Sequence, residues 1–209
     1  MAHLGVHWRG TAIVGALALM LGGCARPQGP VFNGHDLTGW TKHGGDSTYS
    51  VEDGCIVGRR GPGPNTFLCT DRRFADFDLE LDFRWDELCN SGIQFRSKVY
   101  LAERRVGGYQ CELDPSDRSW SCGLFYEGPE GRWIVPLEDN DEARAARRLD
   151  GWNHIRIRAE GHHIQTWLNG VPCVDYIDTG GDVSGFIGLQ VHGGPKGVLR
   201  WKNIQLTEL

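Results

Sequence analysis

Three segments of the chain carry the polar side chains that a carbohydrate site needs. In each segment these residues are spaced two apart, which is typical of one face of a β-strand. The three rows are Gln94 and Arg96; Gln110, Glu112 and Asp114; and Gln190 and His192. Amides and guanidinium groups can hydrogen-bond sugar hydroxyls, while a carboxyl group or an imidazole can transfer a proton. Satisfied polar groups on an exposed sheet would show the same spacing, so the residues alone leave both interpretations open.

Glu112 and His192 are the candidates for proton transfer. Glu112 stands between Cys111 and Leu113, and partial burial of a carboxyl group raises its pKa. His192 ends an apolar run and is followed by two glycines. Functional groups often gather where a strand enters a flexible loop. A lone histidine is more often structural, so that role stays open for His192.

Other reaction classes lack their motifs. The sequence contains no HExxH, no GxSxG and no phosphate-binding glycine loop, which argues against a zincin, a serine hydrolase or a nucleotide-binding protein. The cysteines form no CxxC pair, so we expect neither a zinc site nor another cofactor. The formal net charge of −5 argues against a nucleic-acid partner.

The polar rows need strands to hold them, and the sequence predicts an all-β fold. Apolar and charged residues alternate without a break over Phe77–Asp86, as a half-buried strand requires. The further predicted strands are Tyr49–Glu52, Cys55–Gly58, Ser91–Ser97, Tyr109–Asp114, Trp152–Ala159, Ile164–Leu168, Val171–Tyr176, Phe186–His192 and Val198–Leu206. Asp53-Gly54 and Asn169-Gly170 are two-residue hairpin turns. Short strands without βαβ alternation indicate an antiparallel sandwich or jelly roll.

The size of the chain predicts a single domain, which we place at residues 31–209. The 209 residues are 40% hydrophobic and include 8 Trp, 8 Phe and 5 Tyr, which is enough bulk for one core. Only Asp141–Arg148 has helical composition. Because that segment lacks an apolar stripe, we interpret it as a solvated surface insertion.

The first residues are typical of a bacterial lipoprotein leader. Residues Thr11–Leu21 form an apolar run that is long enough for a signal peptide and too short to span a bilayer. Leu21-Gly22-Gly23-Cys24 follows the order of a lipobox. We therefore predict a signal peptide over 1–23, a lipid-anchored Cys24, a tether over 24–30 and a location in the bacterial cell envelope. A plain secretory signal with a chance cysteine is the alternative.

Six cysteines follow Cys24, at positions 55, 69, 89, 111, 122 and 173. An even number in an oxidising compartment permits three disulfides. Sequence separation says nothing about distance, so disulfides and buried free thiols both stay open.

Several motifs, taken in order, resemble the 3-keto-disaccharide hydrolase family. The predicted domain begins with Phe32-Asn33-Gly34-His35-Asp36-Leu37-Thr38-Gly39-Trp40, which is similar to the family's FNGKDLTGW opening. The later motifs are Tyr49–Gly54, Asn90–Arg96, Gly108–Asp114, Gly123–Glu127, Gly151–Asn153, Thr166–Gly170, Gly188–Gly193 and Arg200–Ile204. The motifs are spread along the chain, and the resemblance covers nearly all of residues 31–209.

The resemblance implies a concanavalin A-like jelly roll of two antiparallel sheets, with a sugar site on the concave face. It also implies secreted or lipid-anchored bacterial proteins that cleave glycosides already oxidised to a ketone at C3. Such a ketone acidifies the C2–H bond, so a base can form an enolate that expels the C1 oxygen. Water can then add to the resulting glycal. This route needs a base, a donor to the enolate oxygen and an acid for the leaving group.

On this hypothesis Glu112 or His192 acts as base or acid, and Arg96 contacts the ketone or enolate oxygen. The expected substrate-binding residues are Asn90, Gln94, Gln110, Asp114 and Gln190. The partners implied are a small-molecule or oligosaccharide substrate and, through Cys24, a membrane. A non-catalytic lectin-like module is the main alternative, because this fold hosts both functions. A lipid-anchored structural protein is the third.

Overall fold

The computed structural model describes residues 30–100 and 105–209. The predicted signal peptide, Cys24 and nearly all of the tether lie outside the described residues. In chain order the strands are β1 (Trp40–Gly44), β2 (Thr48–Glu52), β3 (Cys55–Arg59), β4 (Thr66–Thr70), β5 (Phe77–Glu87), β6 (Ser91–Tyr100), β7 (Arg105–Leu113), β8 (Leu124–Glu127), β9 (Arg132–Val135), β10 (Asn153–Glu160), β11 (His163–Leu168), β12 (Val171–Ile177), β13 (Phe186–Val191) and β14 (Val198–Glu208). One short helix, α1 (Asp141–Ala145), lies between β9 and β10.

The strands form two antiparallel sheets of seven strands each. The first sheet has the order β1-β4-β13-β6-β7-β8-β9, and the second has the order β12-β11-β10-β5-β14-β3-β2. Non-consecutive neighbours such as β13 and β6 are the crossovers of a jelly roll. The predicted all-β sandwich is therefore confirmed.

The core lies between the two sheets and follows from alternation along the strands. On β5, Phe77, Leu79, Leu81 and Phe83 are fully buried, whereas the intervening acidic residues are partly or fully exposed. Residues of the first sheet meet them from the other side, among them Ile93, Phe95, Cys111 and Leu189. Removing this apolar surface from water supplies most of the driving force for the fold.

The outer face of the second sheet is an ordinary solvated surface. Asp78 on β5 accepts two hydrogen bonds from Arg156 on β10, at 2.8 and 2.5 Å. Asp82 accepts one from Asn203 at 2.6 Å. The charges on this face are paired with each other, and such exposed pairs contribute little to stability.

The segment after β9 forms one helical turn, where the sequence predicts a solvated insertion. Asn140 caps it, since its Oδ1 accepts a hydrogen bond from Ala143 N at 3.0 Å. Ala143 is buried in the core. Ala146 and Leu149 also pack against the core, and these contacts with the cap replace the apolar stripe that the sequence lacks. No helix of the described residues is long and apolar enough to cross a membrane.

All six described cysteines are free and buried. Cys111, Cys122 and Cys173 are close enough for their thiols to hydrogen-bond. Of the two alternatives left open by the sequence, the described part of the chain has buried thiols.

Candidate active site

Hydrogen bonds that cross the first sheet show that its outer face is strongly concave. Two strands, β6 and β7, lie between β13 and β8. On a flat sheet β13 and β8 would be about 14 Å apart, which is farther than two side chains reach toward each other. Gln190 Nε2 on β13 nevertheless lies 3.2 Å from Glu127 Oε2 on β8. Asn65, just before β4, donates to Glu127 Oε1 at 3.3 Å. The curvature brings together side chains from both ends of the sheet.

A cavity of about 340 Å³ lies in this concave face, and we call it the main cavity. Its volume falls within the range of small-molecule sites, roughly 300–1,000 Å³. Its lining combines amides, two carboxyl groups, an imidazole, a guanidinium group and aromatic rings. The lining residues are Asn65, Asn90, Gln110, Glu112, Arg118, Phe125, Glu127, Gly131, Trp133, Gln190 and His192.

Glu112 is the carboxyl group held most tightly in the main cavity, with only 5% of the residue exposed. Asn90 Nδ2 donates to its Oε1 at 2.5 Å, and Gln110 Nε2 donates to its Oε2 at 2.7 Å. Burial raises the pKa of Glu112 to about 7, although both hydrogen bonds act in the opposite direction. A carboxyl group that titrates near neutrality can either remove or deliver a proton at physiological pH.

A chain of amides beneath the cavity fixes the orientation of Glu112. Ser97 Oγ lies 2.8 Å from Gln94 Oε1, and Gln94 Nε2 donates to Gln110 Oε1 at 2.5 Å. Gln94 is fully buried and does not line the cavity. The sequence predicts that Gln94 binds substrate, but its amide instead supports Gln110.

Glycine at position 92 makes room for this chain. Gly92 pairs with Glu112 across β6 and β7. A Cβ atom at Gly92 would lie 2.5 Å from Gln110 Cγ, closer than any real contact. The Gln110 side chain therefore lies across Gly92 on its way to Glu112.

Glu127 is a second carboxyl group in the main cavity, and it was not predicted from the sequence. Burial raises its pKa, while the hydrogen bonds from Asn65 and Gln190 lower it. Gln190 is 1% exposed, and no donor of the described residues reaches its Oε1. A buried amide oxygen without a donor is uncommon in folded proteins.

Arg96 does not lie in the cavity, contrary to expectation. Its guanidinium group donates to Ala75 O at 2.9 Å, to Gly161 O at 2.6 Å and to Asp76 Oδ1 at 3.0 Å. The register of β6 against β7 shifts between Phe95 and Lys98. Arg96 also has a left-handed backbone with φ of 47°. This bulge turns the side chain out of the alternation, so Arg96 ties the end of the first sheet to the second.

The arginine of the main cavity is Arg118. Its Nε donates to Asp114 Oδ2 at 2.9 Å, and its guanidinium carbon lies 4.7 Å from the ring centroid of Trp120 and 5.0 Å from that of Trp133. Asp114 does not line the cavity. The sequence predicts that Asp114 binds substrate, but its carboxylate instead positions Arg118.

The insertion around α1 supports the loop that carries Arg118. Arg147 Nη1 donates to Asp114 O and to Ser116 O, both at 2.6 Å. Ser119 Oγ donates to Arg144 O at 2.7 Å. These bonds hold the loop at both ends.

His192 lines the cavity and is exposed. Its Nδ1 lies 3.1 Å from Arg60 Nη2 and 2.9 Å from Gly193 O. Arg60 also donates to His192 O and Gly193 O, each at 2.6 Å. With Nδ1 engaged, Nε2 is the ring atom available to a ligand.

The structure therefore brings Asn90, Gln110, Glu112, Gln190 and His192 to one cavity. It places Gln94 beneath the cavity, Asp114 behind Arg118, and Arg96 elsewhere. The cavity also contains five residues that were not predicted from the sequence: Asn65, Arg118, Phe125, Glu127 and Trp133. The motif Gly123–Glu127 contained two of these residues and was the one available signal.

Solved structures of similar fold come from carbohydrate-related and uncharacterised proteins. A candidate glycosyl hydrolase from Parabacteroides distasonis is 21% identical, with a TM-score of 0.61 over 86% of this chain and 92% of that one. The carbohydrate-binding module CBM66 from Bacillus subtilis is 19% identical, with a TM-score of 0.60 over 81% and 96%. A Bacillus subtilis protein of unknown function with a galectin-like fold is 13% identical, with a TM-score of 0.60 over 82% and 90%. These similarities establish the galectin- and concanavalin A-like fold. No functionally curated protein matches the chain significantly.

The family assignment comes from the sequence itself. Residues 28–207 match the 3-keto-alpha-glucoside-1,2-lyase-like domain. The matched range includes the strands of both sheets and all of the residues that line the main cavity. The chain therefore belongs to the family of 3-keto-alpha-glucoside-1,2-lyase-like domains.

Proposed function

We propose that this protein cleaves glycosidic bonds in 3-keto-glycosides, by abstraction of the C2 proton and elimination at C1, followed by hydration. One observation carries the proposal. Glu112 is a buried carboxyl group with a pKa of about 7, held by two amides in a cavity of the concave sheet. A base that forms an enolate must be ionised to accept the proton and must be able to hold it afterwards, which a carboxyl group with a pKa near neutrality can do.

In the proposed reaction the Glu112 carboxylate removes the proton at C2. The electron pair of the C2–H bond forms an enolate with the C3 ketone, and the enolate then expels the C1 oxygen. Asn90 and Gln110 hold the carboxylate so that no reorientation is needed. Return of the proton to C2 while water adds at C1 completes net hydrolysis.

Arg118 takes the role expected of Arg96, contact with the ketone and enolate oxygen. Arg118 lines the main cavity, and its guanidinium group packs against the rings of Trp120 and Trp133. Asp114 and the two tryptophan rings limit its motion, so its charge is preorganised for an oxyanion. The Gln190 amide and His192 Nε2, which line the same cavity, then bind sugar hydroxyls.

The test is turnover of a 3-keto-glucoside by the purified protein, with the unoxidised glucoside as control substrate. We expect release of the alcohol from the keto substrate alone. Glu112→Gln should lower kcat by about 10²- to 10⁴-fold, as for loss of a general base. The exposed Glu138 supplies the matched control, Glu138→Gln, which should behave as wild type. Full activity of folded Glu112→Gln would refute the assignment.

Non-catalytic carbohydrate binding is the second candidate function. The aromatic rings of Phe125 and Trp133 in the cavity wall favour it, because such rings stack on sugar C–H faces. This alternative predicts saturable binding without turnover. It also predicts equal affinities for a glucoside and its 3-keto derivative, which calorimetry would measure.

We also propose that the protein is anchored in the bacterial cell envelope through a lipid on Cys24. The order Leu21-Gly22-Gly23-Cys24 supports this proposal. Expressed in a bacterium with labelled fatty acid, the wild type should take up label and sediment with membranes, whereas Cys24→Ser should do neither. Membrane attachment that persists in Cys24→Ser would contradict it.

A further inference from the structure

A second hollow lies beside the main cavity in the same concave face. Its volume is about 260 Å³, and Phe67, Val106 and Gly128 are among its lining residues. Asn65 and Glu127 line both spaces. The two spaces are therefore adjacent along the face and meet at this pair.

The boundary between the two spaces consists of hydrogen-bonded side chains. Glu127 Oε1 accepts from Asn65 Nδ2 at 3.3 Å, and Oε2 accepts from Gln190 Nε2 at 3.2 Å. Both hydrogen bonds are long for their type. A ligand that filled both spaces would have to cross the Glu127 carboxyl group.

The two spaces differ in chemistry. The main cavity contains Glu112, Arg118 and several amides, whereas Phe67, Val106 and Pro64 give the second hollow a more apolar lining, with Arg105 as its cation. The ketone-bearing ring needs the proton-transferring and charged groups. A leaving group needs only space and a surface to pack against.

We propose that the second hollow binds the leaving group, and that Glu127 protonates the departing C1 oxygen. This inference rests on the proposed cleavage of 3-keto-glycosides and adds the acid that the reaction requires.

The protons balance over one cycle. Glu112 takes the C2 proton, the C1–O bond breaks, and the leaving oxygen takes the proton of the Glu127 carboxyl group. Glu112 is then protonated and Glu127 ionised. During hydration Glu127 removes a proton from the water that attacks C1, and Glu112 returns its proton to C2, which restores both residues.

The surroundings of Glu127 suit an acid. Burial raises its pKa, which keeps the group protonated to a higher pH than an exposed glutamate. The groups that face it are Asn65 and Gln190, with the Arg105 charge lowering the pKa.

The first test compares leaving groups in Glu127→Gln. For a 3-keto-disaccharide, whose alkoxide leaves only with a proton, kcat should fall about 10²-fold or more. For the 3-keto derivative of 4-nitrophenyl glucoside, whose phenolate needs no acid, it should change less than about threefold. The exposed Glu130 in the turn after β8 supplies the matched control, Glu130→Gln, which should match wild type on both substrates. Equal losses on both substrates, or none on either, would overturn the role of Glu127.

A second measurement separates this inference from the proposed function. Exchange of the C2 proton into D₂O, with 1,5-anhydro-3-keto-glucitol as a probe that has no leaving group, requires only the base. Glu127→Gln should exchange like wild type, and Glu112→Gln should not exchange. No exchange by the wild type would refute the proposed function. Exchange that is lost in Glu127→Gln would refute only the inference about the acid.

The second hollow is tested with Gly128→Leu. A Cβ at Gly128 would meet no atom closer than 3.7 Å, so the position accepts a side chain. We expect KM for the 3-keto-disaccharide to rise about tenfold or more, with KM for the methyl 3-keto-glucoside unchanged. Equal KM values in variant and wild type for both substrates would show that the leaving group lies elsewhere.

Discussion

Two arginines show how strongly position decides the role of a residue. Arg96 and Arg118 have the same chemistry, but Arg96 is 1% exposed and bonded to two backbone carbonyls and Asp76. Arg118 instead lines the main cavity. A buried cation whose donors are engaged by the protein maintains structure, whereas a cation at a cavity is available to a ligand.

We expect Arg96→Lys to destabilise the fold without altering the site. Lysine cannot reproduce the planar set of donors, so two acceptors lose partners at a cost of about 2–4 kcal/mol in the free energy of unfolding. Chemical denaturation measures that loss. At a temperature where the variant is folded, kcat should equal the wild-type value. A loss of kcat with unchanged stability would mean that Arg96 does act in the proposed active site.

Glu112 should give the protein a characteristic dependence of stability on pH. Its pKa in the folded state is raised from 4.5 to about 7, so between these pH values the folded protein binds more protons than the unfolded chain. The free energy of unfolding contributed by this group therefore falls as pH rises through that window, and it is constant above about pH 7. The fall is about 3 kcal/mol.

The matched measurement is denaturation of wild type and Glu112→Gln between pH 4 and 8. Because the amide introduced by this substitution does not titrate, the variant should gain stability relative to wild type as pH rises to about 7. Parallel curves for the two proteins would mean that Glu112 titrates normally in the fold.

At the scale of elements, two features of β6, a glycine and a bulge, determine which side chains reach the main cavity. Gly92 leaves room for Gln110 to reach Glu112, and the register shift after Phe95 ends the alternation of β6. Core-facing residues such as Ile93 lie on the opposite face of the same strand. One strand thus contributes to the core on one face and supports the cavity residue Gln110 on the other.

Gly92→Ala should therefore impair catalysis more than folding. The new methyl group would collide with Gln110, displace its amide and leave Glu112 without one of its two donors. We expect kcat to fall about tenfold or more, since catalytic groups must stay within fractions of an ångström. Gly180→Ala, in a loop where a Cβ would meet no atom closer than 3.8 Å, is the control. Wild-type kcat in Gly92→Ala would mean that Gln110 does not orient the base.

At the scale of the whole molecule, stability and function occupy opposite faces of the first sheet. The face toward the second sheet carries the core, and the concave outer face carries the main cavity. The outer face of the second sheet has paired charges instead. Substitutions on the two sides of the first sheet should therefore have separable effects.

Leu81→Ala and His192→Ala test this separation. Leu81 is fully buried in the core, so its truncation should lower the free energy of unfolding by about 2–5 kcal/mol and leave KM unchanged at low temperature. His192 is exposed at the cavity, and its loss should weaken substrate binding while the melting temperature stays within a few degrees. An unchanged KM in His192→Ala would mean that His192 does not contribute to substrate binding.

The sequence by itself determined the sandwich, because strict alternation on strands such as β5 reports one wet and one buried face. It also placed Glu112 on a strand with the right neighbours for a raised pKa. The sequence did not predict β1, β4, β8 or β9, which are four or five residues long, and Glu127 and Trp133 were missed along with their strands. The equally short β2 and β3 were predicted because the Asp53-Gly54 turn lies between them. Alternation also misplaced Arg96, because a bulge breaks the period of two.

Only the tertiary structure decided which polar residues share a cavity. Glu127 and Gln190 are 63 residues apart and meet through the curvature of a sheet whose strand order no local pattern encodes. Arg118 comes from a loop fixed by contacts with a distant insertion. The physical reason is that periodicity reports which face a side chain takes, whereas the contents of a cavity depend on pairing and curvature over long separations in the chain.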